Sequence, residues 1–251
     1  MDFLQKLISK EFYLPLNVYR SLAFTLAEVL IVLGIVGIVA ELTISTLVAN
    51  TQKQIYVTSF KKAYTNWNQA LVQMAADAGC IGDLSCFFDS SDLKTMGDKI
   101  VAYFRVAKNC DTTKHGCWAD INSQYIDGSA PSSGNDSTGL YYSFITADGM
   151  AINLYDAYQG CSNASNGLLK KGCMSIVRID VNGLKKPNVQ GRDIFTLTID
   201  NTLGPVLYPY GGTKLNAWQN NLCNYGYNGG TDKSGSSCAG RIIDQGWQMN
   251  Y

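Results

Sequence analysis

An acidic residue, Glu28, lies inside a long apolar stretch, four positions after Phe24. The stretch runs to Ala40 and contains one other polar residue, Thr25. A carboxylate is costly to place in a membrane, so its presence there predicts a function. If the chain is cut before Phe24, the new α-amino group lies one helical turn from Glu28 or beside the Glu28 of a neighbouring copy. The opposite charges then neutralise each other. The alternative is a carboxyl group that snorkels to the membrane surface or stays protonated.

Eight cysteines form a second group of reactive residues, and all of them follow residue 79. They occur as four pairs close in sequence: Cys80 and Cys86, Cys110 and Cys117, Cys161 and Cys173, and Cys223 and Cys238. Zinc sites usually have tighter spacings and often include histidine, of which the sequence has one, His115. An even number at loose spacings favours disulfides in an oxidising compartment. Pairing between sequence neighbours is the working hypothesis.

Catalysis and nucleic-acid binding have little support in the sequence. With His115 as the single histidine, neither a Ser/His/Asp triad nor a metal-dependent hydrolase is indicated. The 20 Lys and Arg residues balance the 20 Asp and Glu residues, so the net charge does not favour an acidic partner. The basic pairs 170–171 and 185–186 are short and lack a neighbouring row of aromatic residues. We therefore expect no enzyme and no DNA-binding protein.

A single long helix is expected to position Glu28. With residues 41–47 added, the apolar stretch is long enough to cross a bilayer. An uncleaved signal anchor or a secretory signal peptide would also contain such a stretch. Beyond it, apolar residues recur at steps of three and four, as on one face of an amphipathic helix: Val57, Phe60, Tyr64, Trp67, Leu71, Met74 and Ala78. We expect this face to pack against the rest of the domain, and the helix to end at Gly79.

An antiparallel sheet is expected after the helix. The turn at Asp148 and Gly149 predicts a β-hairpin between strands at 140–146 and 150–155. Further strands are predicted at 174–181, 193–199 and 206–208. The predicted fold class is α+β.

The segment Ala23-Phe-Thr-Leu-Ala-Glu-Val-Leu-Ile-Val32 resembles the prepilin processing site of type IV pilins and type II secretion pseudopilins. The resemblance implies a pilin-like fold, in which the long N-terminal helix packs on a C-terminal antiparallel sheet. It also implies that a prepilin peptidase cuts between Ala23 and Phe24 and methylates the new amine of Phe24. Glu28 would then guide assembly.

The same resemblance implies partners, a location and a division of the chain. The partners are prepilin peptidase, other pilin or pseudopilin subunits and an inner-membrane assembly platform. The precursor would cross the inner membrane once, with its C-terminal domain outside the cytoplasm, before entering a periplasmic or cell-surface filament. The predicted division is a leader at 1–23, a membrane or filament-core helix at 24–47, the amphipathic half of that helix at 48–79 and a β-rich domain at 80–251. The alternative is a membrane-anchored binding or adhesion module that does not polymerise.

Four features depart from the family pattern. Ala23 replaces the usual glycine before the cut, and the leader is longer than usual and not strongly basic. Ser45 stands where many pilins carry proline, and Glu41 is a second acid near the outer end of the span. A helix break at Ser45 is therefore not expected.

Some pseudopilins bind calcium in a loop of the C-terminal sheet, and the loop at 180–193 contains suitable oxygen ligands. Calcium prefers such hard ligands, which here are Asp180, Asn182, Asn188 and Asp193. The spacing differs from that of an EF-hand loop, and tight strand connections favour the same residue types. An ordinary turn is the preferred interpretation, with calcium as the alternative, and no cofactor is otherwise expected.

Overall fold

The computed structural model describes residues 25–89, 92–119, 123–130, 141–158, 173–200, 204–210, 223 and 234–251. The chain divides into two compact units, Met1–Val48 and Ala49–Tyr251. The described residues form a long N-terminal helix and a six-stranded antiparallel sheet, which confirms the predicted α+β class. The predicted leader and the Ala23–Phe24 cleavage site lie outside the described residues.

The long helix, α1, spans Leu26–Asp77. Its C-terminal end is set by Gly79, which adopts a positive φ of 77° that glycine tolerates without strain. The backbone N–H groups of Gly79 and Cys80 donate to the carbonyl oxygens of Ala76 and Ala75 at 3.0 and 2.9 Å. These two bonds form a Schellman motif that satisfies the last carbonyl groups of the helix. The predicted end of the helix is confirmed.

The six strands follow one another in the sheet in chain order, and all neighbours are antiparallel. They are β1 (Val106–Asp111), β2 (Tyr142–Thr146), β3 (Ala151–Tyr158), β4 (Cys173–Asp180), β5 (Ile194–Asp200) and β6 (Val206–Pro209). Two short helices flank them, α2 (Leu93–Val101) and α3 (Cys238–Asp244). Strands β2 to β6 were predicted, and the turn at Asp148 and Gly149 joins β2 to β3 as expected. Strand β1 and both short helices were not predicted.

The core of the second unit lies between the C-terminal half of α1 and one face of the sheet. Alternate residues of each strand point to this face because side chains alternate along a strand. The ring of Phe60 on α1 stacks on that of Phe195 on β5, with centroids 4.2 Å apart. Trp67, 1% exposed, contacts Phe104 at 4.6 Å between ring centroids. The apolar face predicted from the spacing at three and four is thus a packing face.

Three disulfides join cysteines within the described residues. The bonds join sequence neighbours: Cys80 to Cys86, Cys110 to Cys117 and Cys223 to Cys238. These pairings agree with the neighbour-pairing hypothesis. The fourth predicted pair includes Cys161, which lies outside the described residues.

Candidate functional site

Two groups of polar residues were predicted to have functions, and the first is at the start of α1. Thr25 precedes the helix, and Glu28 lies in its first turn. The backbone N–H and the hydroxyl of Thr25 both donate to Glu28 Oε2, each at 2.8 Å, and the N–H of Glu28 donates to Thr25 Oγ1 at 3.2 Å. This reciprocal arrangement is a capping box, which satisfies backbone donors that the first turn leaves unpaired. The carboxylate of Glu28 therefore has a local structural role.

The helix that carries this capping box has an exposed apolar surface. From Leu26 to Val48 the large apolar side chains are 43–80% exposed. Among the described residues, α1 is the one helix that is long and apolar enough to cross a membrane, and its most apolar window has no buried residue. By length and composition this helix could cross a membrane, and a signal sequence near the N-terminus has the same properties.

The pairing of Glu28 with an α-amino group stays a prediction because Phe24 lies outside the described residues. Thr25, by contrast, was missed as a functional partner of Glu28. The signal for it was present in the sequence, since a Thr three residues before a Glu at the start of an apolar run is the pattern of a capping box.

The second group lies in the connection between β4 and β5, residues 180–193, which we call the acidic loop. Asp180 ends β4 and Asp193 directly precedes β5, and both side chains are fully buried. Asp193 accepts hydrogen bonds from the backbone N–H groups of Asn188 and Val189, at 2.8 and 2.6 Å. Asp180 Oδ1 accepts from the N–H of Asn182 at 3.2 Å. The loop thus folds around its own two carboxyl groups.

Burial of two like charges perturbs the acid–base equilibrium of both groups. Burial, followed by the charge of Asp193, raises the pKa of Asp180 to about 9. Burial also raises the pKa of Asp193, although its backbone hydrogen bonds oppose the shift. No ion pair within the described part of the chain offsets either charge. At neutral pH the pair needs a proton or a cation to neutralise it.

Amide and carbonyl oxygens surround this pair. In the orientation that satisfies hydrogen bonding, the Asn188 amide nitrogen donates to Asp180 Oδ2 at 3.1 Å and to the Lys185 carbonyl oxygen at 2.9 Å. Rotation of the amide by half a turn places its oxygen at the same point, where three oxygens then converge. The side-chain oxygen of Asn182 is buried and accepts no hydrogen bond from the described residues. A buried oxygen without a donor is costly unless a water molecule or a cation binds it.

These residues fit calcium better than a transition metal. The described residues contain no group of three or more His, Cys, Asp and Glu side chains that could hold a metal. The acidic loop instead contains two carboxyl groups, two amide side chains and a backbone carbonyl, whose oxygen atoms are hard ligands of the kind that calcium prefers. The structure brings together all four predicted residues, Asp180, Asn182, Asn188 and Asp193. It adds the Lys185 carbonyl, which sequence reasoning could not identify because every residue carries one.

The remaining sequence candidates lie elsewhere. His115 lies in the loop that the Cys110–Cys117 disulfide closes. Lys185 and Lys186 are exposed on the acidic loop, whereas the basic pair at 170–171 lies outside the described residues. The expectation that the chain is not an enzyme stays a prediction.

Comparisons with protein-family models, with curated proteins and with solved structures find no match to this chain.

Proposed function

We propose that the chain is a prepilin-like subunit that is cut before Phe24 and assembles through the apolar half of α1. The product would be a filament of the type IV pilus or type II secretion kind. The observation that carries the proposal is the exposure of the apolar side chains from Leu26 to Val48, next to the capped carboxylate of Glu28. A helix that is apolar all round requires an apolar environment. The membrane supplies it before assembly, and neighbouring helices supply it afterwards.

Small residues support close packing of such helices. Gly34 and Gly37 lie one turn apart, and no atom lies within 4 Å of the position that a Cβ would occupy on either. Inside a membrane the hydrophobic effect does not drive helices together, and small residues let their backbones pack closely instead. This face of α1 is therefore suited to contact the same helix of another copy.

In the proposed function, Glu28 sets the register of this contact between helices. Thr25 holds one carboxylate oxygen, so the negative charge has a fixed position at the start of the helix. A methylated amine on Phe24, or that of a neighbouring subunit, would neutralise this charge in the apolar filament core. Docking of a new subunit in the wrong register would leave two unpaired charges.

N-terminal sequencing and mass measurement of the protein purified from membranes test the processing step. We expect the mature chain to begin at a methylated Phe24. Loss of residues 1–23 removes more basic than acidic groups, so the side-chain net charge falls below zero. A mature chain that still begins at Met1, or one cut after the apolar stretch, would rule out the proposal. The first of these results would favour the membrane-anchored binding or adhesion module instead.

The acidic loop favours a second, structural role for the chain, the binding of calcium. Asp180, Asp193, Asn182 and Asn188, with the Lys185 carbonyl, would hold the ion. Its charge would offset the two buried carboxylates and hold β4 and β5 together at this end.

Calcium should raise the melting temperature of wild type, and Asp180→Asn should abolish this response. Asp148→Asn, at the exposed β2–β3 turn, is the control and should keep it. An equal melting temperature with calcium and with chelator in wild type would remove this role.

A further inference from the structure

The acidic loop is fastened near both of its ends to the first turns of α1 within the second unit. Near the start of the loop, the side-chain nitrogen of Asn182 lies 3.4 Å from the hydroxyl oxygen of Tyr56. Near its end, the hydroxyl of Tyr251 donates to the carbonyl oxygen of Gly191. The backbone oxygen of Tyr251 in turn accepts a hydrogen bond of 2.6 Å from Lys53. The loop therefore lies beside about the first two turns that α1 makes within this unit.

The tip of the acidic loop is exposed and carries two positive charges. Leu184 is 46% exposed, and the side chains of Lys185 and Lys186 beside it are exposed as well. We call these three residues the basic tip. The carbonyl oxygen of Lys186 accepts a hydrogen bond of 3.3 Å from the same Asn182 nitrogen that contacts Tyr56, so the tip stays close to α1. An apolar side chain next to two cations is suited to the boundary between lipid and water.

The surface of the acidic loop is basic even though the loop contains two acids. Its basic residues, Lys185, Lys186 and Arg192, outnumber its acidic residues, Asp180 and Asp193. Both acids are fully buried, whereas all three basic side chains are exposed. A negatively charged surface that approaches the loop therefore meets the cations first.

Charge is also distributed unevenly along α1 within the second unit. From residue 49 to residue 76 the helix contains lysines but no acidic residue, and the lysines are Lys53, Lys61 and Lys62. Of these, Lys62 pairs with Asp148 at 2.9 Å. Acidic residues are concentrated where α1 ends and α2 follows, at Asp77, Asp83, Asp89, Asp92 and Asp98. The beginning of α1 in this unit, which the acidic loop contacts, is thus its basic end.

We propose that the basic tip rests on the anionic phospholipid headgroups of the membrane that α1 crosses. This inference rests on the membrane insertion of residues 26–48 in the proposed function. Because the second unit begins at Ala49, directly after that segment, insertion brings the turns of α1 that hold the loop to the membrane surface. Leu184 meets the lipid chains there, and the two lysines meet the phosphates. The contact holds the unassembled subunit against the membrane, and entry into a filament breaks it.

The test is amine labelling of the mature protein in nanodiscs of phosphatidylcholine, alone or mixed with phosphatidylglycerol. Acylation requires the neutral amine, and nearby phosphates favour the ammonium form. We expect Lys185 and Lys186 to react roughly five-fold more slowly in the discs that contain phosphatidylglycerol, and high salt to remove the difference. Lys114, exposed in the loop between Cys110 and Cys117, is the internal control and should react equally in both discs. Mass spectrometry measures each lysine separately.

Two variants of equal charge test the basic tip by hydrogen exchange. Lys185→Gln with Lys186→Gln removes both charges of the tip, and Lys94→Gln with Lys114→Gln removes two exposed charges elsewhere. In discs with phosphatidylglycerol, the backbone amides of residues 182–186 should exchange more slowly in wild type and in the control variant than in the tip variant. Melting temperatures show whether both variants stay folded.

The inference is overturned if Lys185 and Lys186 react at the same rate in the two kinds of disc, or if Lys114 is slowed as much as they are. Equal exchange of residues 182–186 in the two variants would also overturn it. If the mature protein does not co-purify with the discs, the insertion of residues 26–48 fails and the inference falls with it. Co-purification, measured before labelling, distinguishes this failure of the proposed function from a failure of the basic tip.

Discussion

The two halves of α1 share one regular backbone but differ in what surrounds their side chains. From Leu26 to Val48 no residue is buried, whereas the half from Ala49 to Asp77 contributes nine buried residues to the core. The buried residues are Tyr56, Val57, Phe60, Ala63, Trp67, Ala70, Leu71, Met74 and Ala75. Both halves contain many apolar residues, so apolar content alone does not distinguish them. The arrangement does: the first half is apolar on all sides, and the second has one apolar face.

The two halves of α1 therefore have different roles. A helix with one apolar face can bury that face inside the domain, as the stacking of Phe60 on Phe195 shows. A helix that is apolar on all sides has no polar face to present to water, so its side chains need lipid or other helices. Substitutions in the two halves should therefore affect different measurements.

The largest effect is expected from Glu28→Ala, which should leave the domain folded and inserted in the membrane but prevent assembly. The hydrogen bonds of this carboxylate are with Thr25, in its own turn of α1, so the folding of the domain should not depend on it. Removal of a carboxylate should also favour membrane insertion. The measurement is the amount of sheared surface filament relative to membrane-retained subunit. Normal filament yield from this variant would show that Glu28 has no part in assembly.

Glu28→Gln separates charge from capping in the same assay. Glutamine can replace glutamate in a capping box, so the first turn should stay intact. The counter-charge for a neighbouring amine is lost, however, and we expect assembly to fail as it does for Glu28→Ala. If Glu28→Gln assembles normally while Glu28→Ala does not, the function of Glu28 is capping alone.

The second effect in size concerns the buried half. Trp67→Ala should lower the free energy of unfolding of the domain by about 3–5 kcal/mol, because it leaves a cavity in the core. Leu33→Ala is the matched change in the exposed half, where the side chain is 62% exposed, and should alter it by less than about 0.5 kcal/mol. Denaturant unfolding of the mature protein in detergent measures both. Equal losses would contradict the separation of the two halves.

Much of this arrangement could be predicted from the sequence, because long patterns carry strong signals. The spacing at three and four identified the packing face of α1. The turn at Asp148 and Gly149 identified β2 and β3, and the strand candidates at 174–181, 193–199 and 206–208 correspond to β4 to β6. Strand β1 was missed since it is an edge strand with a single buried residue and two irregularities in its register. Helix α2 contains Gly97, which hid its pattern. That glycine is required because a Cβ there would lie 2.1 Å from the ring of Tyr142.

The candidate sites were predicted less completely than the fold. All four polar residues of the acidic loop were named, because side-chain type and proximity in sequence are visible. The Lys185 carbonyl belongs to the backbone and has no signature in the sequence.

The third-largest effect is expected from removal of a disulfide, which should lower the stability of the domain without affecting the apolar half of α1. The Cys223–Cys238 disulfide closes a loop with a sequence separation of 15, and its removal by Cys223→Ser with Cys238→Ser should cost about 3 kcal/mol. The Cys80–Cys86 bond has a separation of 6, so the matched double variant should cost less, about 2 kcal/mol. Membrane association should be unchanged in both. Eight titratable thiols in the exported native protein would contradict the disulfides.

The smallest effect is expected from Thr25→Val, which tests whether the capping box in the first turn of α1 positions Glu28 for assembly. Valine keeps the shape of threonine but lacks the hydroxyl, so two of the three hydrogen bonds of the capping box are lost and the backbone N–H bond to Glu28 remains. Glu28 keeps its charge but is held less firmly, and we expect roughly a five-fold loss of filament, in line with the loss of a typical N-cap. Thr25→Ser keeps the hydroxyl and should assemble like wild type. Because Thr25 lies next to the predicted cut, N-terminal sequencing of the membrane-retained subunit must show complete processing in both variants. If processing is complete and the two variants yield equal filament, the capping box has no role in positioning Glu28 for assembly.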